Sequence, residues 1–289
     1  MGVFLWYNNR VKIAETAKKN ELDWEISGQV GAKIALESFL QSKSHDSLPH
    51  AFLFLGPKGV GKYKLAKEFV GKIFINSDSK SEVFEYDFVT SPSLEELRDI
   101  IGFSSLTSSQ SKKVFILNNF ELASMGSVNS LLKTLEEPPA SSMFIIVSNG
   151  NTVLPTIKSR CISIRCYPST QDAVNSDLPK VVAEAVIGYP ELAARLLESP
   201  ELVSLLEDQL PRLKSPNLNQ IIALSKLEPE QLQLLLQLWT MLLKQEIQQG
   251  SEPKPLIKKI RTAMQTHADL SKSFNTKLVL QQFLIETKI

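Results

Sequence analysis

Ala51-Phe52-Leu53-Phe54-Leu55-Gly56-Pro57-Lys58-Gly59-Val60-Gly61-Lys62-Tyr63 reads as a strand, a glycine-rich turn and the start of a helix. Five consecutive apolar residues lie between Pro49 and Gly56-Pro57. That length and those borders suit a strand buried on both faces of a parallel sheet. From Gly56 to Lys62 the residues fit the spacing G-x-x-x-x-G-K, and Lys62 to Ile75 carries a helical pattern. A strand before and a helix after are the setting a phosphate-binding loop requires. The glycines let backbone N–H groups turn inward around phosphate oxygens. The helix N-terminus adds partial positive charge, and Lys62 reaches for the outer phosphates. Gly56, Gly59, Gly61 and Lys62 are therefore the candidate nucleotide-contacting residues.

Outward from this loop the same texture continues. Val114-Phe115-Ile116-Leu117 and Phe144-Ile145-Ile146-Val147-Ser148 are further apolar runs. Phe84 to Val89 alternates like a strand, and Cys161-Ile162-Ser163-Ile164 is a shorter candidate. Helical patterns at 94–103 and 126–136 lie between them. Strands alternating with helices predict an α/β domain with a mostly parallel sheet. After Pro168 strand-like runs vanish. Segments 181–186, 190–198, 201–210, 218–227, 229–249, 256–268 and 277–286 read as helices, broken by Gly188-Tyr189-Pro190, Ser199-Pro200 and Ser215-Pro216. Leu232, Leu234, Leu235, Leu236, Leu238, Trp239, Leu242 and Leu243 spread over more than one face of a helix, which predicts burial on several sides.

Composition narrows the function classes. Apolar residues make up 43% of the 289, enough to fill real cores, so a disordered linker is excluded. Lys+Arg is 32 and Asp+Glu is 31, and a net charge of +1 argues against a wholesale nucleic-acid coat. Two cysteines, Cys161 and Cys166, exclude a disulfide framework and a four-thiolate zinc site within the chain. No run approaches the roughly 20 apolar residues of a membrane span. The expectation is a cytoplasmic protein without a membrane anchor.

The loop lacks its chemistry. After Lys62 the motif wants Ser or Thr, whose hydroxyl holds Mg²⁺; here Tyr63 stands there, and Lys64 offers no ligand either. The metal-binding Asp and water-activating Glu should follow a later buried strand. Behind Val114–Leu117 come Asn118 and Asn119, which supply neither a base nor a strong metal ligand. Glu121 is the nearest carboxylate and reads as a helix-start residue. Three losses together predict a loop that does not hydrolyse nucleotide. Binding without turnover stays open, because the glycines and Lys62 are kept.

A more specific signal lies downstream. Asn129-Ser130-Leu131-Leu132-Lys133-Thr134-Leu135-Glu136-Glu137-Pro138-Pro139 resembles the N-x-L-L-K-x-L-E-E-P-P signature of clamp-loader subunits of DNA polymerase III, and Ser159-Arg160-Cys161 resembles their S-R-C motif. Trp24 to Gln29 and Leu48 to Phe54 are similar to that family's approach to its first helix and to its strand into the phosphate loop. The order and spacing of all four match over about residues 24–166. Within the family, the pattern of ATPase residues resembles the delta-prime branch more than the tau/gamma motor branch.

The resemblance implies an AAA+ P-loop domain at 24–167, with parallel strands flanked by helices. It implies a small helical lid at 168–208 and a helical collar at 209–289, after an N-terminal extension at 1–23. It implies that Arg160 acts as an arginine finger in trans, at the γ-phosphate of ATP held by a neighbouring subunit. The partners it implies are tau/gamma ATPase subunits and a delta subunit. Through the complex they include a sliding clamp and primer-template DNA. No cofactor of its own is required, ATP binding stays open, and the cysteine-free segment Asn76–Val83 predicts no zinc. Lys133 is either a DNA-phosphate contact or a solvated lysine, while Lys158 and Arg165 read as solvated charges. Cys161 reads as a small buried thiol, since none of His45, His50 and His267 forms a catalytic pattern with it.

Overall fold

A computed structural model describes residues 24–41, 48–75, 80–90, 94–105, 111–150, 153–169, 177–214, 216–270, 272 and 275–288. The extension at 1–23 and His45 lie outside the described residues. The chain divides into two units, Met1–Thr170 and Gln171–Ile289.

In the first unit the apolar runs become strands of one parallel sheet. These are β1 (Ala51–Gly56), β2 (Lys80–Asp87), β3 (Ser111–Asn118), β4 (Ser142–Asn149) and β5 (Ile162–Arg165). Their order is β2-β3-β4-β1-β5, and every neighbouring pair is parallel. Ala51 to Leu55 are all buried, as a central strand covered on both faces demands. Helix α1 (Val30–Leu40) precedes β1, and α2 (Lys62–Ile75), α3 (Leu94–Ser105), α4 (Met125–Glu136) and the single turn α5 (Pro155–Lys158) connect the strands, with a 3₁₀ turn at Phe120–Leu122. Phe84, Phe115 and Phe144, from adjacent strands, stack at centroid distances of 5.1 and 5.2 Å. Phe52 meets Phe39 of α1 and Phe69 of α2 edge-on at 5.3 and 5.0 Å.

Register positions the site. Gly56 pairs with Asn149 and Asp87 with Asn118, so the carboxyl ends of β1, β4, β3 and β2 form one rim. Because β4 lies between β1 and β3, Asn149 stands between the glycine loop and the end of β3. This rim is where open α/β sheets place ligands.

Three local outcomes differ from the sequence reading. The strand expected at 84–89 ends at Asp87, because its carboxylate accepts the Val89 N–H at 2.8 Å and turns the chain. The strand expected at 161–164 occupies Ile162–Arg165, and α5 was not foreseen as a helix. Helix α4 forms where expected: Ser124 caps it, its hydroxyl accepting the Ser127 N–H at 3.1 Å, and it stops before Pro138-Pro139. Leu131 and Leu135 are buried in the core, and Leu132 packs partly buried against it.

The second unit is helical among its described residues. It holds α6 (Lys180–Ala185), α7 (Pro190–Leu197), α8 (Pro200–Arg212), α9 (Leu218–Leu224), α10 (Pro229–Gln248), α11 (Pro253–Leu270) and α12 (Thr276–Lys288). Helix α10 buries Leu232, Leu235, Leu236, Leu238, Trp239 and Leu243, and packs on α6, α8 and α11. Trp239 also meets Phe283 of α12 edge-on at 5.6 Å. The lid–collar boundary expected near residue 208 falls inside α8, and both α6 and α8 pack on α10. These residues form one unit because α10 supplies a core to helices on both sides of that boundary. Among the described residues, no helix is long and apolar enough to cross a membrane.

Candidate functional site

The glycine loop has the backbone of a phosphate loop. Gly59 and Gly61 have φ of 86° and 85°, which side-chain-bearing residues rarely adopt. Gly56 is needed for another reason. A Cβ there would lie 2.2 Å from the Cys166 carbonyl oxygen, because β1 and the end of β5 approach closely.

Lys62 is buried, and its ammonium donates to the Pro57 carbonyl at 2.6 Å and to Asn149 Oδ1 at 2.7 Å. The Asn149 amide nitrogen donates in turn to Glu121 Oε1. Glu121 Oε2 accepts from the Asn149 backbone N–H at 2.9 Å and from the Ser148 hydroxyl at 3.2 Å. Glu121, expected at a helix start, is the second residue of the 3₁₀ turn, and its side chain fastens that turn to the end of β4. Asn149 was missed in the sequence because it resembles any polar residue that closes a strand. Only the sheet order brings it beside Lys62.

The two asparagines in the metal-site positions are also engaged. Asn118 Nδ2 and Asn119 Nδ2 each donate to Asp87 at 2.8 Å, one to each carboxylate oxygen. Asn119 has a φ of 54°, a left-handed conformation that Asn tolerates. Tyr63 points to β2, where its phenol donates to Glu85 Oε2 and Lys67 pairs with Glu85 Oε1 at 2.9 Å. Burial, then the Glu85 hydrogen bond and charge, push the Tyr63 phenol above its ordinary range, so it stays protonated. The rim therefore offers no β-hydroxyl after Lys62, and amides stand where the metal-binding and water-activating carboxylates would be. The carboxylates beside them, Asp87 and Glu121, are already hydrogen-bonded within the chain.

Gln29 fastens the other side of the loop. It is buried at the start of α1 with a φ of 53°. Its amide donates to the Val60 carbonyl at 3.0 Å and to the Tyr167 carbonyl at 2.6 Å, and it accepts the Tyr167 N–H at 3.1 Å. The glycine loop is thus tied to the chain beyond β5.

Arg160 has its own surroundings. It follows α5, and its Nη1 donates to the Thr156 carbonyl at 2.9 Å and the Ser159 hydroxyl at 3.2 Å. Its Nη2 pairs with Glu136 Oε1 at 2.6 Å. The structure thereby joins the two downstream motifs through a residue, Glu136, that the sequence reading had not singled out. Lys133 and Arg165 are exposed, and Lys158 is half-buried. Cys161, expected to be buried, is half-buried against the core, while Cys166 is buried, and burial pushes each thiol up to about 12.

Comparison with known proteins gives the same neighbourhood. A family model described as DNA polymerase III, delta subunit matches residues 85–170, which contain both downstream motifs. DNA polymerase III subunit tau of Bacillus subtilis is 31% identical over 197 residues, covering 61% of this chain and 34% of that protein. Subunit delta' of Pseudomonas aeruginosa is 29% identical over 141 residues, covering 40% of this chain and 43% of that protein. The chain thus spans about a third of the length of the tau relative. A gamma subunit-related protein of DNA polymerase III from Thermotoga maritima is a structural neighbour at 18% identity. That match covers 88% of this chain and 98% of that one, with a TM-score of 0.49.

Proposed function

We propose, on the premise that this chain is related to the clamp-loader subunits of DNA polymerase III, that it is their non-hydrolysing, delta-prime-like member. In this reading Arg160 is an arginine finger supplied in trans. Its planar, always-charged fork stabilises the charge that develops on the γ-phosphate of ATP held by a tau/gamma subunit. The other partners are a delta subunit and, through the complex, the sliding clamp and primer-template DNA.

The observation that carries this reading is the engagement of every polar group expected to do ATPase chemistry. Tyr63 is bonded to Glu85, Asn118 and Asn119 to Asp87, and Glu121 to the end of β4. A metal or an activated water would have to displace these bonds to reach the Asp87 or Glu121 carboxylate, and amides stand at 118 and 119 themselves. The glycine loop is then retained for its shape, with Lys62 joining the loop to β4 through Asn149.

The test is Mg²⁺-dependent ATP turnover by the purified chain alone. The reading predicts none above background. The second reading, an ATP-hydrolysing tau/gamma-like motor, is favoured by the 31% identity to the Bacillus subtilis tau subunit. It predicts turnover by the chain alone that disappears in Lys62→Ala.

A further inference from the structure

Three hydrogen bonds hold the Arg160 guanidinium to its own chain. Two are local, since Thr156 and Ser159 belong to the turn that Arg160 ends. The third crosses between elements, from the Arg160 Nη2 to Glu136 in the last turn of α4. This is the one ion pair of the three, and its partner carries the same charge sign as the group a finger must meet. A carboxylate and a phosphate are both anions that bind guanidinium through its N–H edge. They compete for the same Nη2, and each repels the other when both are near.

We infer that Glu136 is a counter-ion that holds the Arg160 guanidinium docked against its own subunit until a neighbour's nucleotide phosphate displaces it. The inference rests on the finger reading of Arg160 given above. The pair is suited to be displaced. The two side chains are 31% and 52% exposed, so water and salt screen the attraction. A deeply buried pair would hold the finger too firmly to exchange. A finger with no partner would sample many rotamers and carry a bare charge at the subunit surface. Glu136 keeps it ordered and neutralised at small cost. By this account Glu136 opposes the reaction in the resting assembly, and its removal favours turnover.

The experiment reassembles the loader with its cognate subunits and measures ATP turnover without clamp or DNA. Wild type, Glu136→Gln, Arg160→Ala and the double variant are compared, with assembly checked by gel filtration. Glu136→Gln keeps the shape and removes the charge. It should raise turnover by up to about five-fold, the factor that corresponds to about 1 kcal/mol. Glu136→Ala, run in parallel, should act in the same direction. The double variant should match Arg160→Ala, because a released finger is useless when it is absent. That equality separates a role through Arg160 from a general structural one. Unchanged or reduced turnover in both Glu136 variants, with Arg160→Ala still defective, would overturn the inference and leave the finger reading intact. Turnover indifferent to Arg160→Ala would remove the finger reading and the inference with it.

Discussion

At the residue scale, Tyr63, Asn118, Asn119 and Glu121 each have a hydrogen-bond partner on another element. Tyr63 was legible in the sequence as a missing hydroxyl, but its partner Glu85 was not. A phenol long enough to overshoot the phosphate position reaches the neighbouring strand instead, and only tertiary structure names what it meets there. Asp87 was hidden for a similar reason. It faces Asn118 through the β2–β3 register, which the sequence did not specify. Cys161, read as a buried thiol, is half-buried because it sits at the rim of the core just before β5, whereas Cys166 is buried. Burial raises both from the ordinary 9.0 to about 12. The folded state therefore keeps its thiol protons between about pH 9 and 12 while the unfolded state loses them. Stability contributed by the neutral thiols is present below pH 9 and is lost as pH rises through that window. Iodoacetamide labelling at about pH 8 should accordingly be slow in the native chain and fast in denaturant. Equally fast labelling in both would show that the thiols are accessible and ionise normally.

At the element scale, continuous apolar runs identified the central strands because β1, β3 and β4 are covered on both faces. Edge features were harder to read. β2 reaches back to Lys80 and stops at Asp87, a turn made by a side chain rather than by a glycine or proline. The rim is held together across elements by few groups, and Glu121 is prominent among them. It links the 3₁₀ turn after β3 to the end of β4 with hydrogen bonds to Ser148 and Asn149. Glu121→Ala should destabilise the chain by about 1.5–3 kcal/mol, the range for hydrogen bonds to a charged group. Urea unfolding measures this as a lower midpoint at unchanged slope. A change below about 0.5 kcal/mol, the range of ordinary surface substitutions, would show that the carboxylate is not fastening the rim.

At the scale of the whole molecule, the change of texture after Pro168 lies close to the division observed at Thr170. Break signals such as Ser199-Pro200 start helices as readily as they separate domains. Here Pro200 begins α8, and that helix runs past 208. The first unit carries both the glycine loop and Arg160. In the proposed function the chain takes part in another subunit's chemistry and not in its own.

That central claim is tested most directly by ATP turnover of the loader reassembled around Arg160→Ala, with clamp and primed DNA present. With assembly intact, turnover at the site facing this subunit should fall by about 10³–10⁵, as for other lost arginine fingers. Total turnover should fall to what the remaining sites support. Full turnover with the variant in place would contradict the account.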